Sequence, residues 1–168
     1  MRIVRRNTFE TNSSSTHAIG IPRESGYKKL THIDFKWGEF GWEFEIYYDT
    51  FSKASYLYTM LQYFDGHYKP EFNKYAEYLE KIKKYLDEEN ITYTFEEPRD
   101  SSWDNGYVDH GGDTPDVIDG ILETKESFLT YLFDERAYVS TGNDNDWGYN
   151  TLEPDIDGVE YNVYYKGN

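Results

Sequence analysis

The apolar residues of this 168-residue chain change period along its length, and that change decides which layers it can build. From His32 to Asp49, aromatic and polar residues alternate: Ile33, Phe35 and Trp37, then Trp42, Phe44 and Ile46. Period two predicts a β-hairpin here, with Gly38-Glu39-Phe40-Gly41 as its turn. Beyond Ser52 the spacing lengthens. Tyr56, Leu57, Met60, Leu61 and Phe64 fall on one stripe and predict a helix over 52–64, ended by Gly66. Phe72, Tyr75, Leu79, Ile82 and Leu86 then recur at three and four, which predicts a second helix over 70–89. Pro70 suits its first turn, Asn90 closes it, and Lys81, Lys83 and Lys84 favour its negative end.

The shorter elements follow the same rules. Ile3-Val4, Ala18 to Ile21 (stopped by Pro22), Ile91 to Phe95, Tyr107-Val108, Ala137 to Val139 and Val159 to Tyr165 read as strands. Asp113-Thr114-Pro115 opens a short helix running to Leu122, and Thr124 caps another that carries Phe128, Leu129, Leu132 and Phe133. The segments Phe9 to His17 and Thr141 to Asp146 read as polar loops. Helices and strands come in runs rather than in strict alternation. The expected fold is therefore α+β: a single domain over residues 1–168, mainly antiparallel sheet with two longer helices and one or two shorter ones.

Composition narrows the functions open to such a fold. Aromatics make up 19% of the chain, 18 of them tyrosine, enough apolar area to offset chain entropy. Cysteine is absent, which excludes thiol catalysis, zinc–thiolate sites and disulfides, and fits a reducing cytoplasm. The start of the chain has arginines but no apolar run behind them, so no signal peptide is expected, nor any membrane span. Seventeen basic against 32 acidic residues leave a net charge of −15. That argues against general nucleic-acid binding, which needs a basic surface; it fits plain solubility, or an acidic, tyrosine-rich surface that docks on a basic protein groove.

Three polar segments carry the candidate chemistry, the third being Thr141-Gly142-Asn143-Asp144-Asn145-Asp146. Arg5-Arg6-Asn7 and Asn12-Ser13-Ser14-Ser15-Thr16-His17 gather two guanidinium groups, several hydroxyls and an imidazole. Tyr107-Val108-Asp109-His110-Gly111-Gly112 places a second imidazole at the end of a short strand. In a metal-independent phosphodiester cleavage, His17 and His110 would exchange protons, Arg5 and Arg6 would bind phosphate, and Ser14 and Asn12 would act at the scissile group. Ser13, Ser15, Asn143 and Asp144 complete the candidate substrate contacts. No cofactor or metal is expected, although Asp109, His110, Asp113 and Asp144 are the residues that could hold a divalent ion. A plain structural loop explains the same serines and asparagine equally well.

Arg5-Arg6-Asn7-Thr8-Phe9-Glu10-Thr11-Asn12-Ser13-Ser14-Ser15-Thr16-His17 resembles the opening of a group of small proteins from Gram-positive bacteria, their phages and plasmids. Asp109-His110 and Thr141-Gly142-Asn143-Asp144-Asn145 resemble further segments of that group. The resemblance covers about a fifth of the chain. It implies a mobile-element protein of the host bacterial cytoplasm, resembling anti-CRISPR inhibitors, of which one type truncates the guide RNA of a CRISPR effector nuclease. Two other readings remain open: a non-catalytic acidic protein that blocks a basic nucleic-acid-binding groove by charge mimicry, and a phage structural or accessory domain.

Overall fold

A computed structural model describes residues 15–41, 43–61, 74–97, 106–109, 115–143, 154 and 156–166. Its centre is β1 (Ser15–Pro22), every residue of which is buried. Strand β7 (Tyr138–Asn143) pairs antiparallel with one edge of β1, Val139 opposite Ile19. Strand β8 (Tyr161–Lys166) pairs antiparallel with the other, Tyr164 opposite Ile19. Adding β4 (Glu45–Tyr47) beyond β7 gives a four-stranded sheet in the order β4-β7-β1-β8. The fold is α+β, as the run-like order of elements leads one to expect.

Alternation along β1 divides its side chains between two apolar layers. Ile19 and Ile21 join the main core, built with α1 (Thr50–Leu61), α2 (Tyr75–Glu88), α3 (Pro115–Ile121) and α4 (Lys125–Phe133). Ala18 turns the other way and packs with Tyr138, flanked by Tyr48, Tyr161 and Val163. Two glycines make room for rings: a Cβ on Gly20 would overlap the Tyr138 ring, and one on Gly120 the Tyr164 ring. No helix among the described residues is long and apolar enough to cross a membrane.

Helix ends obey local chemistry. The Thr124 hydroxyl accepts from the Ser127 amide at 3.0 Å and caps α4. Asn90 adopts φ 57°, and the Asn90 and Ile91 amides donate back to Asp87 and Leu86 at 3.0 Å each, closing α2. The expected stripe on α1 is in fact a jacket. Lys53, Ala54 and every residue from Tyr56 to Leu61 are buried, because α1 packs against α4, β7, β2 (His32–Phe35) and β6 (Tyr107–Val108) together.

The hairpin expected over 32–49 does not form. β2 pairs parallel with β5 (Thr92–Phe95), and β3 (Glu39–Phe40) pairs parallel with β6. Gly38-Glu39-Phe40-Gly41 is thus a strand with its flanks rather than a turn, and the Tyr107 and Asp109 amides donate to the carbonyls of Gly38 and Phe40. Alternation tells which face a side chain takes, not which strand it pairs with. Across the β2–β5 pair Phe35 stacks on Phe95 at 4.8 Å, while Phe40 of β3 packs edge-on against Tyr56 of α1 at 5.0 Å. Thr141 to Asn143 likewise extend β7 rather than loop, whereas Asp144 and the Ile3-Val4 strand lie outside the described residues.

Candidate functional site

The described parts of the segments singled out in the sequence, Ser15–His17, Asp109 and Thr141–Asn143, meet at one corner of the sheet. Antiparallel register sets Ser15 opposite Asn143, Thr16 opposite Gly142 and His17 opposite Thr141. The Ser15 hydroxyl reaches across 94 positions and donates to the Asp109 carbonyl at 3.0 Å. So the start of β1, the end of β7 and the end of β6 are neighbours. Ser15, Thr16, His17, Ser140 and Thr141 are all buried there, an unusual concentration of polar side chains that must be hydrogen-bonded to be tolerated.

His17 shows how. Its ring is completely buried (0% exposed), 2.9 Å from the Tyr56 hydroxyl at Nδ1 and 2.8 Å from the Gly41 carbonyl at Nε2. A carbonyl only accepts, so Nε2 carries a proton and donates to Gly41, while Nδ1 shares a hydrogen bond with the Tyr56 hydroxyl. Both ring nitrogens are spoken for. Tyr56 is fully enclosed, and burial pushes its hydroxyl far above the usual tyrosine range, so it stays protonated and available to donate.

The polar loop expected over Phe9 to His17 therefore needs correction at its end: Ser15, Thr16 and His17 form a buried strand. The proton-transfer role given to His17 also fails in this arrangement. A substrate phosphate would have to reach a ring sealed beneath Tyr56 and Gly41, whereas acid–base transfer needs near-contact. Ser15, a candidate substrate contact, has its hydroxyl turned inward on Asp109. Asn143 lies in β7 opposite Ser15. Arg5, Arg6, Asn12, Ser13, Ser14, His110 and Asp144 lie outside the described residues, as does Asp113 of the candidate ion site. Among the described residues no group of acids and histidines is arranged to hold a metal ion.

What the corner does instead is hold a surface segment from below. His17 grips the Gly41 carbonyl, and the Thr141 hydroxyl donates to the Glu43 carbonyl at 2.6 Å. Both anchors act on the link between β3 and β4, and Glu43-Phe44-Glu45-Ile46, which follows, is exposed throughout. Sequence reading missed this because a hydroxyl–carbonyl contact across 98 positions leaves no mark on either segment.

A second buried polar group also escaped the sequence. Lys53 on α1 is wholly buried, and its ammonium donates to the Asp134 carbonyl at 2.7 Å and the Ala137 carbonyl at 3.1 Å, satisfying the chain just past α4. Burial pulls its pKa from 10.5 down to about 8, against the opposing pull of Asp134, Asp49 and Glu135. Its apolar surroundings on α1 concealed it, for Lys53 sits where a helical pattern expects a solvent-facing charge.

No family model matches the chain, and no curated protein or solved structure is similar to it.

Proposed function

We propose that this protein is an inhibitor encoded by a mobile element, one that occupies the basic nucleic-acid-binding groove of a bacterial machine such as a CRISPR effector nuclease. The observation that carries this reading is the uncompensated charge, −15 from 32 acidic and 17 basic residues. Much of the scarce positive charge is already committed. Arg23 pairs with Glu160, Lys29 and Lys125 with Glu89, Lys74 with Asp119, and Arg136 with Asp134, while Lys53 is buried. The surface is left with acids to present, and a basic groove is their complement. Burial of His17 favours the non-catalytic form of this reading.

The test combines purified protein with a panel of CRISPR effector nucleases loaded with guide RNA. Target binding and cleavage are followed while salt is raised from about 0.1 to 0.5 M, a range over which exposed charges become strongly screened. Expected are loss of target binding, an intact guide on denaturing gels, and relief of inhibition as salt rises. Salt-indifferent inhibition, or none with any effector, would overturn the charge-mimicry reading.

One observation favours the catalytic alternative: the described ends of the segments resembling the mobile-element group, Ser15–His17, Asp109 and Thr141–Asn143, are neighbours. That reading is a metal-independent ribonuclease that truncates the guide RNA, with His110, Ser14 and Asn12 as its reactive groups. Shortened guide in the same assay, abolished by His110→Ala, would establish it; intact guide excludes it.

A further inference from the structure

Glu43-Phe44-Glu45-Ile46 are exposed one after another, with Phe44 at 48% and Ile46 at 43%. Acid and apolar side chains alternate along residues leading into and through β4 (Glu45–Tyr47), which pairs with β7 on one side, and no strand lies on its other side among the described residues. Tyr107 of β6, 44% exposed and in register with Glu39 of β3, brings its hydroxyl against Gly41 in the link that leads into β4, 3.6 Å from where a Cβ there would sit. Phe44, Ile46 and Tyr107 are three of the few large apolar side chains that the fold leaves in water.

The charge around them is one-sided. The Tyr107 hydroxyl is driven up by burial and then by Glu39, Glu43 and Asp109, and that of Tyr47 by burial and then by Glu45 and Glu43. Elsewhere a cation moderates such a field, Lys125 at Tyr27 and Arg136 at Tyr161. No ion pair among the described residues reaches Glu39, Glu43 or Glu45. The segment is also anchored before any partner arrives, through the Gly41 and Glu43 carbonyls held by His17 and Thr141. Such pre-organisation lowers the ordering cost of docking.

We infer that the open edge of β4, with Phe44, Ile46 and Tyr107 set among Glu39, Glu43 and Glu45, is the docking surface for an extended lysine- or arginine-bearing segment of the partner protein. The inference rests on the proposed function and names the face that performs it. Charge selects the occupant. A second copy of this chain would set glutamate against glutamate, and a nucleic acid or an anionic membrane would be repelled in the same way. A basic segment instead meets the carboxylates with cations on one face while its intervening apolar side chains cover Phe44 and Ile46 on the other, and a guanidinium can lie over the Tyr107 ring. Extended backbone suits an edge strand, whose outward amides and carbonyls can add one more strand.

The test titrates isotope-labelled protein with a synthetic peptide alternating lysine and valine, and in parallel with one alternating glutamate and valine. Expected are shifts confined to residues 39–47 and 107–109 with the basic peptide only, and slower amide exchange across 43–47. In the doubly substituted Glu43→Gln, Glu45→Gln protein, binding weakens about tenfold. Glu77→Gln with Asp116→Asn, which removes two exposed acids elsewhere, leaves it unchanged. Equal weakening by both pairs, shifts on another face, or no binding at all would overturn the inference. Glutamates that merely guard the edge against self-association predict no peptide binding and dimerisation of the Gln variant. Effector inhibition retained by that variant would remove this face while leaving the charge-mimicry reading standing; peptide binding without effector inhibition would do the reverse.

Discussion

Replacing His17 by alanine tests whether the polar motif at the start of β1 is architecture. The substitution leaves the Tyr56 hydroxyl and the Gly41 carbonyl, each now within 2.9 Å of an imidazole nitrogen, facing a void in a buried site. Each orphaned group costs about 1–3 kcal/mol, so about 2–6 kcal/mol is expected before any cavity contribution. Against a typical total of about 5–15 kcal/mol, that is a large share. Equilibrium urea denaturation followed by tryptophan fluorescence measures it. Two milder variants divide the effect: His17→Gln can restore donation to Gly41, and Tyr56→Phe removes only the partner hydroxyl, so each should cost about 1–3 kcal/mol. Combined, they should cost less than the two single effects added, since both disrupt the same contact. An alanine variant within about 0.5 kcal/mol of the parent, the range of an ordinary surface change, would refute a sealed and structural His17.

Three further outcomes follow from packing and charge. Lys53 titrates near 8 when folded and at 10.5 when free; the unfolded chain therefore holds more protons between these values, and stability should rise with pH across that window, by about 3 kcal/mol in full. Melting temperature measured from pH 7.5 to 9.5 should climb in the parent and stay flat in Lys53→Met; above about pH 10 the raised tyrosines oppose the trend, as the unfolded chain then ionises first. Glu89, held down to about 2 by Lys125 and Lys29, contributes stability above 4.5 that should vanish as pH falls towards 2, and Glu89→Gln should flatten that part of an acid titration followed by circular dichroism. Gly20→Ala should cost about 1–3 kcal/mol by driving a methyl into the Tyr138 ring, and an unchanged denaturation midpoint would contradict that contact.

How much was written locally can be seen element by element. The cap at Thr124, the close at Asn90 and the three-four rhythm through Ile82 and Leu86 depend on near neighbours, and α4 and α2 stand where those signals lie. The α+β class followed from the same short-range patterns. At the candidate site Ser15–His17, Asp109 and Thr141–Asn143 meet, with Ser15, Thr16 and His17 in a buried strand where the sequence suggested a polar loop.

What the amino-acid order settled unaided was the short-range business of caps, periods and net charge, because those depend on residues a few positions apart or on none. Only the tertiary structure decided that β2 would pair with β5 and β4 with β7 instead of with each other, that Lys53 would be buried, and that the His17 ring would be held by Tyr56 and Gly41. The physical reason is range. A strand's partner and a buried polar group's hydrogen bonds lie tens of residues away, and are chosen by which rings and carbonyls the whole core brings within reach.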